Sequence, residues 1–78
     1  MPEHFIDLLW DNETSVWIAT SETIPGLVLE SGSLDALIER VRFAVPELLS
    51  LNEQPRDGKE NQTLSVCFRS ERHEQVWL

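Results

Sequence analysis

Between residues 33 and 51 the apolar positions recur with the period of a helix. Counted at 100° per residue from Leu34, the side chains of Leu37, Ile38, Val41, Val45, Leu48 and Leu49 fall within about 60° of it. Such a stripe is broad enough to cover one face of a sheet. Ser33 is placed to cap the helix, its hydroxyl accepting from an otherwise unpaired amide, and Asp35 sits in the first turn, where the positive end of the dipole favours a carboxylate. Pro46 has no N–H to return to the Arg42 carbonyl, which predicts a kink followed by a last turn or two over 47–51.

Upstream the period changes to two. Residues 4–10 read as a strand with Ile6, Leu8 and Trp10 on one face and Phe5 and Leu9 flanking Asp7 on the other. Asp11, Asn12, Glu13 and Thr14 supply turn chemistry, and 15–20 form a second strand, Val16 and Ile18 opposing Trp17 and Ala19. Pro25 and Gly26 mark a turn within 21–26, and a short third strand follows over 27–30. Residues 52–63 are polar apart from Pro55, which predicts a solvated, mobile connection. Over 64–69, Leu64, Val66 and Phe68 alternate with Ser65, Cys67 and Arg69, a fourth strand with one apolar face. The chain closes on Val76, Trp77 and Leu78, which must dock on this domain or on another.

Three strands, a helix and a strand restrict the topology. A meander places the third strand parallel to the first, and a right-handed crossover through the helix lays the fourth beside and parallel to the first. The expected architecture is α+β, a mixed four-stranded sheet of order 3-2-1-4 with one helix on one face. The other face would carry some of Phe5, Leu9, Trp17 and Val28, more contiguous apolar surface than a monomer this small leaves open. Self-association, as a dimer or tetramer, through that face, an edge strand or both is therefore expected. Phe43 lies about 180° from the buried stripe, with Arg40 and Glu47 near it on the outer helix face. A solitary exposed ring, or one folded under the Pro46 kink, competes there with a contact to another chain.

Length and charge narrow the partners. At 78 residues the chain makes one domain, 1–78, with a small core. Fourteen acidic residues against six basic give a net charge of -8, and the basic ones are scattered, which disfavours direct nucleic-acid binding and suits a basic protein partner. One cysteine, Cys67, excludes an intramolecular disulfide framework, and the start Met-Pro-Glu-His lacks the pattern of a signal peptide. A cytoplasmic protein without a membrane span is the expectation.

The combination of Trp17-Ile18-Ala19-Thr20, the Ile24-Pro25-Gly26-Leu27 turn, Glu30 with a small polar pair behind it, and Leu34-Asp35-Ala36-Leu37-Ile38-Glu39 opening the helix resembles the HicB-like superfamily. That superfamily holds the antitoxin halves of HicA/HicB toxin–antitoxin modules. The chain looks closest to its short, stand-alone branch of unknown function, where a segment like 41–52 also occurs. The resemblance covers 5–52 and, more loosely, the fourth strand. It implies a β-β-β-α-β partial RNase H-like fold without nuclease carboxylates, and it brings a HicA-like toxin, small and basic, into view as a partner. HicB antitoxins usually add an operator-binding module, and the residues here provide none.

Catalytic chemistry finds little support. A metallonuclease needs carboxylates converging on divalent metals, and only Asp7, Glu39 and Glu71 caricature such a set. By helix angle Glu39 points about 140° from the buried stripe, away from the sheet. His4, His73 and Cys67 lack ligand spacing, the serines lack a nucleophile elbow, and three glycines build no phosphate loop. Neither a catalytic nor a metal or cofactor site is assigned, and no small-molecule substrate is expected. The reading is a non-enzymatic, self-associating interaction module, antitoxin-like at most, with Phe5, Leu9, Trp17 and Phe43 as apolar contacts and Arg40 and Glu47 at the rim. The alternatives are a residual RNase H-like metal-dependent hydrolase and a purely structural oligomeric scaffold.

Overall fold

The computed structural model describes residues 3–52 and 64–78. Five elements follow in the expected order: β1 (Glu3–Asp11), β2 (Val16–Thr20), β3 (Val28–Ser31), α1 (Leu34–Asn52) and β4 (Ser65–Glu71). They form a mixed sheet of order β3-β2-β1-β4, antiparallel except for the parallel β1–β4 pair, with α1 as the crossover between its two edges. The polar connection expected over 52–63 lies, beyond Asn52, outside the described residues.

Local chemistry explains the joints. Asp11 closes the first hairpin: its carbonyl accepts from Ser15 N (2.8 Å), and its carboxylate accepts from Glu13 N (2.9 Å) and the Thr14 hydroxyl (2.9 Å). The Thr14 bond and then the Glu13 amide hold the Asp11 carboxyl below the usual carboxylate range. At the second joint, Leu27 N donates to the Ile24 carbonyl (3.3 Å), with Pro25 and Gly26 between them and Gly26 at φ +86°. This is a type II turn, which wants proline first and a positive φ second. The Ser21 hydroxyl holds the approach to it, accepting from Thr23 N (3.2 Å) and Ile24 N (3.3 Å). Ser33 caps α1 as expected, its hydroxyl accepting from Ala36 N at 3.3 Å. The helix continues through Pro46 to Asn52.

The core is one cluster under α1: Ile6 and Leu8 from β1, Trp17 and Ala19 from β2, Ile24 and Leu27 from the turn, and Leu37, Val41, Val45 and Leu49 from the helix stripe. All are buried, and five large side chains among them are fully so. One expectation is corrected here. Trp17 does not share the uncovered face with Phe5 and Leu9; it faces the helix and is only 8% exposed. The register decides this, pairing Trp10 with Trp17 and Leu8 with Ala19, so that even residues of β1 share a face with odd residues of β2. Both faces of β2 are apolar, and the even-length hairpin loop selects which of them goes inside. The two indoles meet edge to face at 5.4 Å between centroids.

α1 lies across β2 and β3 rather than over the middle of the sheet. The helix-side residues of β4, Val66 and Phe68, are consequently only half-buried, and a groove of about 400 Å³ runs between them and Val41, Val45 and Pro46.

Two substitutions test this account by urea denaturation. Ile24→Ala opens a cavity in a sealed site and should lower stability by about 2–5 kcal/mol, whereas Phe43→Ala, on the outer helix surface, should stay within about 0.5 kcal/mol. Gly26→Ala should cost about 1–2 kcal/mol, since its Cβ would stand 3.4 Å from Leu48 Cδ2 at a φ that L-residues resist.

Candidate protein interface

The face of the sheet away from α1 is the first candidate surface. The register places Phe5, Asp7 and Leu9 of β1 there, beside Val16, Ile18 and Thr20 of β2, Val28 and Glu30 of β3, and Cys67, Arg69 and Glu71 of β4. Phe5 is 37% and Leu9 48% exposed, and Val28 is more open still. An ion pair crosses the middle of this apolar surface: Arg69 Nη2 and Nε both donate to Asp7 Oδ1, at 2.9 and 3.1 Å. The same guanidinium lies 4.6 Å from the Phe5 ring centroid. Arg69 therefore neutralises Asp7 and roofs Phe5 together, which keeps a carboxylate tolerable among exposed apolar side chains.

Among the described residues, five carboxylates, those of Glu3, Asp7, Asp11, Glu30 and Glu71, share this face with the single guanidinium of Arg69. Only Asp7 is paired with it. The face is thus an apolar patch with an acidic rim, complementary to a basic protein surface and repulsive toward its own duplicate.

The second candidate surface, the outer side of α1, is on the opposite side of the molecule. Phe43 is 73% exposed there, with Glu47 exposed one turn further on. Arg40 does not form a free rim: its Nη1 donates to the Glu30 carbonyl of β3 at 2.8 Å. Glu39 pairs with Arg42 at 3.6 Å. The residues expected to act together thus divide into four groups: Phe5 and Leu9 on the open sheet face, Phe43 and Glu47 behind the helix, Arg40 tied to β3, and Trp17 inside.

The three carboxylates of the hydrolase alternative do not converge. Asp7 is held by Arg69 on the open face, Glu39 by Arg42 behind the helix, and Glu71 is bonded to His73 at the end of β4. Sequence reasoning missed that Ile18 lies on the open face and that Arg69 spans the β1–β4 pair. The parity of the hairpin loop would have found the first; the second needs the parallel register, Asp7 opposite Arg69, which no local pattern encodes.

Among the described residues no helix is long and apolar enough to cross a membrane. Residues 3–77 match the family described as "Domain of unknown function (DUF1902)". Among solved structures, the chain is similar to the hypothetical protein TTHA1013 from the extremely thermophilic bacterium Thermus thermophilus. The identity is 31%, 99% of this chain and 100% of that one are covered, and the TM-score is 0.66. No curated protein matches the chain.

The Asp7–Arg69 pair is half in water, so its coupling in an Asp7→Ala, Arg69→Ala double-mutant cycle should fall below about 1 kcal/mol and shrink further as salt is raised. Urea midpoints at low and high ionic strength measure it.

Proposed function

For this chain, which belongs to the DUF1902 family, we propose the role of a non-enzymatic, self-associating module that binds another protein through its open sheet face. The observation that carries the proposal is the composition of that face among the described residues: exposed Phe5, Leu9 and Val28 inside a rim of carboxylates with one guanidinium among them. Such a surface takes its affinity from the apolar centre and its choice of partner from the charge. A small basic protein is the partner that fits. The resemblance to HicB antitoxins supplies a concrete candidate, a toxin of the HicA type, and the net charge of -8 supports the same pairing in the cytoplasm. The outer helix face around Phe43 and Glu47 offers a second, separate contact.

The hydrolase alternative draws no support from Asp7, Glu39 and Glu71, each turned to a different partner.

The test is capture of partners on the purified protein, followed by titration of the recovered component. A small basic protein binding with an affinity that falls steeply with salt, and at least tenfold weaker for Phe5→Asp and Leu9→Asp, is the expected result. Two outcomes overturn the reading: equal binding by both variants, or divalent-metal-dependent cleavage of an RNA–DNA hybrid that disappears in Asp7→Ala.

A further inference from the structure

Beyond β4 the chain continues as an arm, residues 72–78, that belongs to no strand of the sheet. Its last residues are strongly apolar and uncovered: Val76 is 82% and Trp77 98% exposed, and Leu78 is fully so. Seven extended residues reach roughly 23 Å, and the molecule measures 58 Å along its long axis against 21 and 19 Å across. Arg72 lies over Trp10, and His73, Glu74 and Gln75 line a cleft with Asn12, whereas Val76, Trp77 and Leu78 stand away from the globule. The arm is also part of the family's domain, since the family match runs to residue 77 and the similarity to the Thermus protein covers 99% of this chain.

The alternation of β4 persists as far as Arg72 and His73. Val66 and Phe68 face the helix side, and so does Arg72, whose guanidinium lies 4.0 Å from the Trp10 ring centroid and 5.9 Å from that of Trp17. Arg72 in turn bonds Glu74, two residues on, while on the other side His73 bonds Glu71. Carried forward, this parity sends Val76 and Leu78 to the helix side and Trp77 to the side of Phe5 and Cys67.

Two surfaces of the globule lack the partners such an arm supplies. β4 is an edge strand of seven residues with no proline and no lysine to block pairing, and among the described residues no strand lies on its outer side. β3, the other edge, has four residues, and its Glu30 carbonyl is already bonded by Arg40. Along β4 runs the apolar groove between Val66 and Phe68 and the helix residues Val41 and Val45, with room for about a dozen waters in its roughly 400 Å³.

We propose that two copies of this chain exchange arms, β4 and residues 72–78 of one running antiparallel to the same segment of the other about a two-fold axis near Glu71 and Arg72. An isologous contact requires each surface to meet its own copy, and an antiparallel ribbon of identical strands meets that requirement. With parity kept, Val76 and Leu78 of one copy come to lie beside Leu64, Val66 or Phe68 of the other and enter its groove. Trp77 comes to lie beside Cys67 on the open face. Stacking two open faces would set the four carboxylates beyond the Arg69–Asp7 pair against those of the other copy, whereas arm exchange brings only Glu71 or Arg72 near its own duplicate at the axis. Residues 72–78 carry only Arg72 and Glu74, bonded to each other, besides His73.

The inference rests on the self-association in the proposed function, and the test separates the two. Light scattering after size exclusion at micromolar concentration should show a dimer for the wild type. The double variant Val76→Asp, Leu78→Asp should weaken it at least tenfold with unchanged far-UV circular dichroism, because both side chains are outside the folded core. Register is read with cysteines. Paired residues on antiparallel strands lie within disulfide reach, so oxidised Gln75→Cys or Trp77→Cys should give a covalent dimer through Cys67. Cys67→Ser should abolish it, and Val76→Cys, of the opposite parity, should give none. A monomeric wild type overturns both self-association and arm exchange. A dimer that survives the double variant overturns arm exchange alone, as does the absence of a covalent dimer from both Gln75→Cys and Trp77→Cys.

Discussion

The sheet is apolar on both sides and has one helix to cover it, and the rest of the molecule follows from how that helix is placed. α1 lies over β2 and β3 because its stripe of Leu37, Val41, Val45 and Leu49 finds there Trp17, Ala19 and Leu27, and because the Pro25–Gly26 turn brings Ile24 underneath. Burial at that site is complete, with Ile24, Leu37 and Val41 sealed. Elsewhere it is unfinished. β4, joined to β1 by parallel pairing, is held by the backbone ladder and by half-buried Val66 and Phe68, not by close contact with the helix. In a chain of 78 residues, where total burial is small, such a remainder is a large share of what is available.

The elements and the strand order were legible because local signals agreed with the global pattern. The helix stripe, the serine cap and the proline–glycine turn each admit one reading, and a helix crossing between parallel strands has one favoured hand. What was not legible is which face of β2 turns inward. Trp17 with Ala19 and Val16 with Ile18 are equally plausible core pairs by composition, and the choice belongs to the hairpin register. Once Trp10 pairs with Trp17, the larger aromatic goes inside and Ile18 goes out. Arg69 posed a related difficulty: as the last polar residue of an alternating strand it reads as a solvated charge. Only the parallel register sets it opposite Asp7 and over Phe5. Pairing between strands decides both cases, the hairpin register in the first and the parallel β1–β4 register in the second, and no window of a single strand contains that information.

Charge and apolar area divide the surface between them. The open face has an apolar centre but too many carboxylates to accept its own copy, whereas the edge at β4 and the arm beyond it are nearly neutral and rich in unpaired backbone and aliphatic groups. The proposed self-association and the proposed basic partner are both served by that division. In that proposal like-with-like contact is directed to the edge, where hydrogen bonds and aliphatic packing suffice, and the acidic face is left for unlike contact.

A two-fold axis perpendicular to the sheet at β4 keeps each face on its own side. Both helices then lie on one side of a continuous sheet and both open faces on the other, so Phe5, Leu9 and Val28 of the two copies look in the same direction. In the proposed dimer Trp77 of each arm joins the open side next to the other copy's Cys67 and Phe5 and extends the aromatic patch across the junction. A partner meeting this surface meets two acidic-rimmed patches at a fixed spacing. Binding at the second is then intramolecular, and avidity arises without any new kind of contact. The proposal thus links edge pairing to recognition by the open face: the arm that would complete the core of one copy would also double the surface offered to a basic partner.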